Sequence, residues 1–274
     1  MVALPSGPHE PTRRHDTSET SRVWRSLMLV DRWIVGLAGR LVVTGDLPDE
    51  VRGRPVLLTA NHIGDFDALV LIAACRARGA APRILATAGL FDAPVLGGVL
   101  RSAQHIRVER GGVTATAALE AVGAALAESS RPVLVYPEGR ISLEPGLWPE
   151  RGKSGAARMA LAAEAVVVPV SQWGAHEVLH YGEPTVTGAR DLLARFRSFC
   201  RGVRRRPALR VHFGQPVDLS DLSAERVGDA VRARDRIMRA ITDGLVPLRA
   251  DEPDRPRHHD PTRPVNDKRS PWRP

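Results

Sequence analysis

An asparagine, a histidine and an aspartate follow the first clear apolar run of the chain. The run spans residues 55–60, Asn61 and His62 come directly after it, and Asp67 lies five residues beyond the histidine. At the end of a strand, a histidine can offer one ring nitrogen to a substrate while a carboxylate holds the proton of the other. His62 is therefore a candidate general base and Asp67 the group that orients it, with a substrate hydroxyl as the nucleophile.

This spacing on its own has a second interpretation. Asp65 or Asp67 can simply cap the helix that follows, with His62 satisfying a loop carbonyl, because aspartate is common at helix N-termini. The chain contains no G-x-S-x-G turn, which argues against a serine hydrolase.

Two further stretches place polar side chains after predicted strands. Residues 133–142 read Val-Leu-Val-Tyr-Pro-Glu-Gly-Arg-Ile-Ser and carry Glu138, Gly139 and Arg140 in a turn. Residues 106–112 set Arg110 beside two glycines. A guanidinium at this position can hold a phosphate through two hydrogen bonds. Taken alone, the stretch fits a surface arginine paired with an acid equally well.

Together and in this order, these elements resemble the lysophospholipid and glycerol-phosphate acyltransferase family. Its first motif is Asn-His-x-x-x-x-Asp and its third is Phe-Pro-Glu-Gly-Thr-Arg-Ser. Residues 61–67 fit the first motif, residues 108–110 the end of the second and residues 137–139 the third, while the apolar residues 167–170 resemble the fourth. The resemblance covers about residues 40–220.

The resemblance implies a reaction and a role for each candidate residue. His62 would deprotonate the free hydroxyl of lysophosphatidic acid, which would attack the thioester of acyl-CoA or acyl carrier protein and give phosphatidic acid. Arg110 and the Glu138–Gly139 turn would position the phosphorylated acceptor. Glu138 would bond an acceptor hydroxyl or hold a neighbouring arginine. Neither a metal nor a cofactor beyond the acyl donor is implied.

Two departures from the family pattern bear on the acceptor. The front half of the second motif matches poorly, because Arg107 stands where the family has an aromatic or apolar residue. The third motif reads Glu-Gly-Arg-Ile, which moves its arginine forward to Arg140. That variant resembles acyltransferases that act on lysophosphatidylethanolamine, so this lipid is the alternative acceptor and Arg140 a further candidate phosphate ligand.

The elements that must carry these residues alternate along the chain. Short apolar runs alternate with helical patterns from residue 54 onward, which is typical of an α/β domain. The patterns predict strands at residues 55–60, 84–88, 105–108, 132–136, 165–170 and 210–213, and helices at residues 67–78, 94–102, 114–128, 154–164 and 224–245. The strands at 132–136 and 165–170, joined by a helix, predict a βαβ unit with parallel pairing. We expect an α/β fold with a mixed, largely parallel sheet flanked by helices.

An amphipathic helix is predicted before the motifs. Its apolar residues, including two tryptophans, fall at helical spacing from Trp24 to Leu41, but charged residues interrupt any run long enough to span a membrane. Packing on the domain and insertion into a lipid interface explain the pattern equally well. The first twenty residues lack the apolar segment of a secretory signal, so neither a signal peptide nor a transmembrane helix is predicted.

The ends of the chain contain few apolar residues, and this predicts the boundaries of the domain. Residues 1–21 and 250–274 are rich in proline and charge, and we expect both segments to be disordered. Residues 22–249 are expected to form one acyltransferase domain. The two cysteines, Cys75 and Cys200, are too few for a disulfide framework and indicate a reducing compartment.

Positive charge is concentrated in one segment. Lys and Arg exceed Asp and Glu by eight in the whole chain, and residues 190–210 alone contain eight arginines and one aspartate. Apolar residues between Leu192 and Val203 recur at helical spacing, which predicts a basic amphipathic helix for an anionic membrane surface at the cytoplasmic face. An ordinary solvated helix face is the alternative.

A nucleic-acid-binding protein is the main non-enzymatic alternative, since the sequence pI is about 10.7. Aromatic residues make up only 4% of the chain, and no helix-turn-helix, zinc-finger or RNP pattern occurs. We therefore expect no nucleic acid partner. A catalytically silent membrane-binding protein of the same fold is a second alternative, but both His62 and Asp67 are present.

Overall fold

The computed structural model describes residues 20–48, 51, 53–94, 96–108, 114–181 and 188–274. Within these residues seven strands form one sheet, in the order β1-β7-β6-β2-β5-β3-β4. The strands are β1 (Arg40–Thr44), β2 (Val56–Ala60), β3 (Arg83–Thr87), β4 (Ile106–Val108), β5 (Val133–Val135), β6 (Val166–Trp173) and β7 (Ala208–Phe213). The helices are α1 (Arg22–Ala38), α2 (Asp67–Ala77), α3 (Ala88–Asp92), α4 (Leu96–Ser102), α5 (Thr114–Glu128), α6 (Gly155–Ala162), α7 (Ala189–Arg205) and α8 (Asp229–Leu248).

The sheet is mixed and largely parallel, which confirms the predicted fold class. Strands β6, β2, β5, β3 and β4 run in one direction, while β7 is antiparallel to β6 and β1 is parallel to β7. One predicted pairing needs correction. β5 and β6 are parallel, as the βαβ pattern requires, but β2 lies between them and pairs with both. The pattern fixes direction and handedness, whereas it leaves room for a strand inserted from elsewhere in the chain.

Helices cover both faces of the sheet, because neighbouring residues of each strand point to opposite sides. In β2, Val56, Leu58 and Ala60 pack with α1 and α2 in one buried cluster. Leu57 belongs to the cluster on the other face, where α5, α6 and α8 pack. β2 is buried along its whole length, as expected of a central strand covered on both sides.

The predicted N-terminal helix ends earlier than its apolar pattern indicates. α1 stops at Ala38, and Leu41, assigned to the helix from its spacing, lies in β1. Strand β1 pairs with β7 so that Arg40 lies opposite Ala208, while Trp173 at the end of β6 lies opposite Arg210. The C-terminal end of α1 therefore lies at the same edge of the sheet as the ends of β2 and β6.

Helix α1 packs on the domain through one face and exposes apolar side chains on the other. Trp24, Met28 and Val35 are buried, and so is Asp31, whose two carboxylate oxygens have no hydrogen-bond partner. Trp33 is 68% exposed. Among the helices of the described residues, none combines the length and the apolar character that a membrane span requires.

Helix α7 has the basic amphipathic character that the sequence predicts, and it packs beside α1. Its apolar side chains near residue 195 face outward, with Leu192 and Phe196 each 62% exposed. The exposed side chains of the two helices form what we call the α1–α7 face. Its apolar members are Val23, Leu29, Val30, Trp33, Leu37, Leu192, Leu193 and Phe196.

The last predicted helix begins later than expected. Residues 224–228 form turns, and α8 starts only at Asp229, after Gly228 adopts a left-handed conformation with φ of 92°. Val227, counted as an apolar helix position from its spacing, is fully exposed. The glycine interrupts the backbone geometry before the apolar periodicity ends.

Residues 250–274, which were predicted to be disordered, lie against the domain in the structure. Trp272 donates its indole N–H to the carbonyl of Glu150 at 3.1 Å, and the Ser270 hydroxyl donates to the carbonyl of Pro149 at 2.6 Å. These anchors are hydrogen bonds to backbone carbonyls, which a count of apolar residues does not register. The other segment expected to be disordered lies, up to residue 19, outside the described residues.

A buried arginine holds the start of this tail. The Arg249 guanidinium lies 4.1 Å from the ring centre of Trp148 and 4.2 Å from that of Trp173. It donates to the carbonyls of Gly146 and Glu252. Burial lowers the pKa of Arg249 to about 10, so the side chain stays charged between the two indoles.

Candidate functional site

The ends of three neighbouring parallel strands, β6, β2 and β5, form the edge of the sheet at which the site lies. Asn61, directly after β2, donates its amide to the carbonyl of Gln172 at 3.0 Å and accepts the N–H of Gln172 at 2.8 Å. The Gln172 side chain donates to the carbonyl of Asn61 at 2.9 Å. Asn61 therefore joins the ends of β2 and β6 and fixes where the following residue, His62, leaves the sheet.

His62 and Asp67 form the hydrogen-bonded pair that their spacing predicts. His62 Nδ1 lies 2.8 Å from Asp67 Oδ2, and the same oxygen accepts the backbone N–H groups of Ile63 and Gly64 at 2.5 and 2.9 Å. Asp67 is the first residue of α2, where the helix dipole favours a negative charge. Because an ionised carboxylate only accepts hydrogen bonds, Nδ1 carries the proton and the free lone pair of a neutral imidazole lies on Nε2.

The two side chains differ in their access to solvent. Asp67 is fully buried, whereas the His62 side chain is 20% exposed. A buried carboxylate that orients a partly exposed imidazole is the arrangement of a general base that acts on an external hydroxyl. The helix-cap interpretation does not describe Asp67, because its oxygen bonds the loop that precedes α2.

Tyr136 lies parallel to the His62 imidazole, with ring centres 4.0 Å apart and an angle of 14° between the planes. Its hydroxyl is buried and has no hydrogen-bond partner. Burial raises the pKa of Tyr136 well above its ordinary value. No role was predicted for this tyrosine from the sequence, although its place two residues before Glu138 was the available signal. The stacked ring restricts rotation of the imidazole.

Glu138 points into the protein, where its two carboxylate oxygens accept backbone N–H groups from different segments. Oε1 accepts the N–H of His62 at 2.9 Å, and Oε2 accepts the N–H of Glu150 at 2.8 Å. Burial raises the pKa of Glu138 to about 8, because desolvation of the carboxylate outweighs the stabilisation from the two donors. Glu138 thus links His62, in the loop after β2, to Glu150, in the loop after β5. Substrate contact by Glu138 stays a prediction.

A second set of contacts joins the same two loops. The N–H of Ser142 donates to the carbonyl of His62 at 2.8 Å. Arg263, from the C-terminal tail, donates to the carbonyls of Ile63 and Ser142 at 2.7 and 2.6 Å. Ser142 is the last residue of the third motif, but no role was predicted for it from the sequence, and Arg263 belongs to no motif.

The cations predicted to bind phosphate have different surroundings. Arg140 pairs with Glu150, with its Nη2 and Nε both donating to one carboxylate oxygen at 2.7 and 3.0 Å. Arg110 lies outside the described residues. Lys153, which was not predicted as a ligand, is exposed, and its backbone N–H donates to the carbonyl of Pro137 at 2.8 Å.

Gly139 adopts a left-handed conformation with φ of 67°, and its N–H closes a turn onto the carbonyl of Tyr136 at 2.9 Å. A Cβ at this position would lie 3.3 Å from the Lys153 amine. The glycine therefore allows both the turn and the close approach of the lysine. No group of three or more His, Cys, Asp or Glu in the described part of the chain is arranged to hold a metal ion.

Comparisons with known proteins found matches to a family model and to a solved structure. Residues 41–173 match the model of the family described as Acyltransferase. The structure is similar to the crystal structure of the 1-acyl-sn-glycerophosphate (LPA) acyltransferase PlsC from Thermotoga maritima, with a TM-score of 0.56 and 17% sequence identity. The similarity covers 83% of this chain and 81% of that one. No curated protein sequence matches the chain.

Proposed function

Since residues 41–173 match the model of the acyltransferase family, we propose that the chain transfers a fatty acyl group from a thioester to the free hydroxyl of lysophosphatidic acid. The product is phosphatidic acid, an intermediate of phospholipid biosynthesis. The observation that carries this proposal is the pair of His62 and Asp67 at the end of β2, with Nδ1 held at 2.8 Å and the side chain partly exposed. The similarity to a 1-acyl-sn-glycerophosphate acyltransferase supports the choice of acceptor.

The reaction needs one base and no enzyme nucleophile. His62 Nε2 takes the proton of the acceptor hydroxyl, and the oxygen attacks the carbonyl carbon of the thioester. The tetrahedral intermediate collapses, the C–S bond breaks and the thiolate of the donor takes the proton back from the imidazolium. Asp67 keeps the proton of the ring on Nδ1 and stabilises the imidazolium between the two proton transfers.

The acceptor carries a phosphate, and the site offers cations for it. Lys153 is exposed beside the Gly139 turn, on the loop that Glu138 ties to His62. Together with Arg110, it is our proposed ligand for the phosphate. Lysophosphatidylethanolamine is the alternative acceptor, because the third motif has Arg140 directly after Gly139.

The α1–α7 face is the proposed contact with an anionic membrane surface. It combines exposed apolar side chains with exposed arginines, among them Arg197, Arg201 and Arg204. Asp65, in the loop after β2, accepts a hydrogen bond from Arg195 at 2.9 Å, so α7 contacts the loop that carries His62. A lipid that enters from this face therefore reaches the site without leaving the membrane surface.

Acyl transfer from labelled acyl-CoA to lysophosphatidic acid on anionic vesicles tests the proposal. We expect transfer by the native chain and a fall of about 10²–10⁴-fold in His62→Ala. His259→Ala is the matched control, since His259 is exposed in the tail. Equal activity of His62→Ala and the native chain would refute the role of the base.

Parallel assays separate the substrates. Transfer only to lysophosphatidylethanolamine would replace the proposed acceptor, and transfer only from acyl carrier protein would identify the donor. No transfer with any of these combinations would overturn the proposed function.

Vesicle sedimentation tests the membrane contact separately from catalysis. The double variant Arg197→Glu, Arg201→Glu should bind anionic vesicles at least tenfold more weakly, because each arginine near an anionic leaflet contributes about 1 kcal/mol. Binding to neutral vesicles should change little. Equal binding of the variant and the native chain to anionic vesicles would remove α7 from the contact.

A further inference from the structure

The C-terminal tail brings one charged side chain to the edge of the sheet that holds His62 and Asp67, which we call the catalytic edge. This side chain lies outside the residues that match the acyltransferase family model. Arg263 Nη1 donates to the carbonyl of Ile63 at 2.7 Å, and Nη2 donates to the carbonyl of Ser142 at 2.6 Å. The family model ends at residue 173. Arg263 thus comes from a segment that this match does not include, yet it contacts the residue next to His62.

The surroundings of Arg263 hold its guanidinium in one orientation. Its plane lies over the ring of Tyr181, 5.3 Å from the ring centre, and its Nε is buried without a hydrogen-bond partner. Burial lowers the pKa of Arg263, while the negative charges of Asp67 and Asp260 oppose this change. Arginine remains charged under such conditions, so a fixed positive charge lies close to the carboxylate that orients His62.

The backbone that carries His62 shows what Arg263 adds. The N–H of His62 is held by Glu138, and the N–H groups of Ile63 and Gly64 are held by Asp67. The carbonyl of His62 accepts the N–H of Ser142. The carbonyl of Ile63 is held by Arg263, so the backbone N–H and C=O groups of His62 and Ile63 all have partners.

We propose that Arg263 is a positioning residue for acyl transfer, because its guanidinium bridges the loop after β2 and the loop after β5 and keeps His62 oriented toward the acceptor. This inference rests on the proposed function. The flat guanidinium reaches two carbonyls at once, whereas the single amine of a lysine cannot reproduce that fork.

The rest of the tail keeps Arg263 in place. Asp260 is buried and accepts the backbone N–H groups of Tyr181 and Thr262. The Thr262 hydroxyl donates to the carbonyl of Tyr181 at 3.1 Å. The tail is thus fixed to the segment after β6 immediately before the residue that bridges the two loops.

Steady-state kinetics test the proposal in the full chain. We expect Arg263→Ala to lower kcat about 10–100-fold with little change in the KM of either substrate, because small misplacements of a catalytic group slow the chemical step. Guanidinium at millimolar concentration should restore part of the lost rate. Arg269→Ala is the matched control, since Arg269 is exposed in the same tail. A kcat within about twofold of the native value, or a higher one, would refute the proposal and leave the tail as a passive cover.

A spectroscopic measurement separates this inference from the identity of the substrates. The His62 Nδ1 proton, hydrogen-bonded to Asp67, should give a low-field proton resonance that is absent in His62→Ala. We expect Arg263→Ala to lose or broaden this resonance and Arg269→Ala to keep it. An unchanged resonance in Arg263→Ala would count against positioning even if no acyl transfer had been found.

A conservative variant keeps the test decisive if Arg263→Ala does not fold. Arg263→Lys retains the charge and one donor group, so its kcat should lie between those of the native chain and the alanine variant. A lysine variant with native kcat and a native low-field resonance would overturn the proposal.

Discussion

The catalytic edge of the sheet and the interface between α1 and α2 both bury carboxylates but treat them in opposite ways. At the catalytic edge, Asp67 accepts three hydrogen bonds and Glu138 accepts two. At the helix interface, Asp31 is 6% exposed and neither of its oxygens has a partner. Burial raises the pKa of Asp31 to about 7.

The difference shows which region needs a fixed geometry. The donors around Asp67 and Glu138 belong to the backbone of the loops that carry His62, so these carboxylates set the shape of the site. Asp31 orders no such loop, and its burial destabilises the ionised form without a compensating contact. Apolar packing holds α1 in place, and we expect substitutions at the two regions to change different properties.

The largest effect is expected at the catalytic edge. Asp67→Ala removes the oxygen that accepts three hydrogen bonds, so the ring should lose its orientation and its tautomer. We expect the rate of acyl transfer to fall about 10³–10⁴-fold, as in hydrolases with the same division of roles. The hydrogen bonds between Asn61 and Gln172 do not involve this carboxylate, so we expect them to remain. Activity within tenfold of the native value would mean that the pairing around Asp67 is not needed for catalysis.

A smaller effect is expected for Glu138→Gln. Both oxygens of Glu138 accept N–H groups, so a glutamine must turn its amide against the N–H of His62 or that of Glu150. We expect a loss of about 10–100-fold in kcat with little change in KM, because the main effect is on the position of His62. A change confined to the KM of the acceptor would instead indicate the substrate contact that the sequence predicts.

Asp31→Asn should change stability and leave catalysis alone. The pKa of Asp31 rises from 3.8 to about 7 on folding, so its destabilising effect is absent below pH 4 and complete above pH 7. A shift of this size corresponds to about 4 kcal/mol, of which we expect about half to be recovered because the asparagine amide also lacks a partner. Urea unfolding of both chains at pH 4 and pH 8 measures it. Equal stability of the two chains at pH 8 would mean that the carboxylate is solvated.

The smallest effect is expected for Arg140→Ala. Arg140 is paired with Glu150, but its side chain is 54% exposed, so the pair contributes at most about 1 kcal/mol to stability. Since Glu150 already occupies its guanidinium, we expect less than a threefold rise in the KM of the acceptor. A tenfold rise would show that Arg140 leaves Glu150 to bind the phosphate.

The hydrogen bond between His62 and Asp67 can be predicted from the sequence because its geometry is local. The distance from His62 to Asp67 along the chain is short, and a strand followed by a helix determines how the two side chains meet. Glu138 and Gly139 are also found from one motif, although the inward direction of the Glu138 side chain depends on the loop that ends at Glu150. That loop lies outside the motif.

Contacts between segments that are far apart in the sequence could not be predicted. The insertion of β2 between β5 and β6 depends on competition among strands, and apolar patterns do not rank the partners of a strand. Arg263 and Trp272 lie in a segment whose composition is typical of disorder, yet their hydrogen bonds go to carbonyls of the domain. The burial of Asp31 could not be predicted, because a charged residue within a helical apolar pattern is expected to be exposed.

The reversal of direction between β6 and β7 has a consequence for how the rate should depend on substrate. Because of it, the end of α1 lies at the edge of the sheet that holds His62, three strand spacings or about 14 Å from β2 along the sheet. A protein docked through α1 and α7 would then meet its acceptor by lateral diffusion in two dimensions. Its turnover should follow the mole fraction of acceptor in the lipid surface, and dilution with inert lipid should slow it even when the bulk concentration of acceptor is constant.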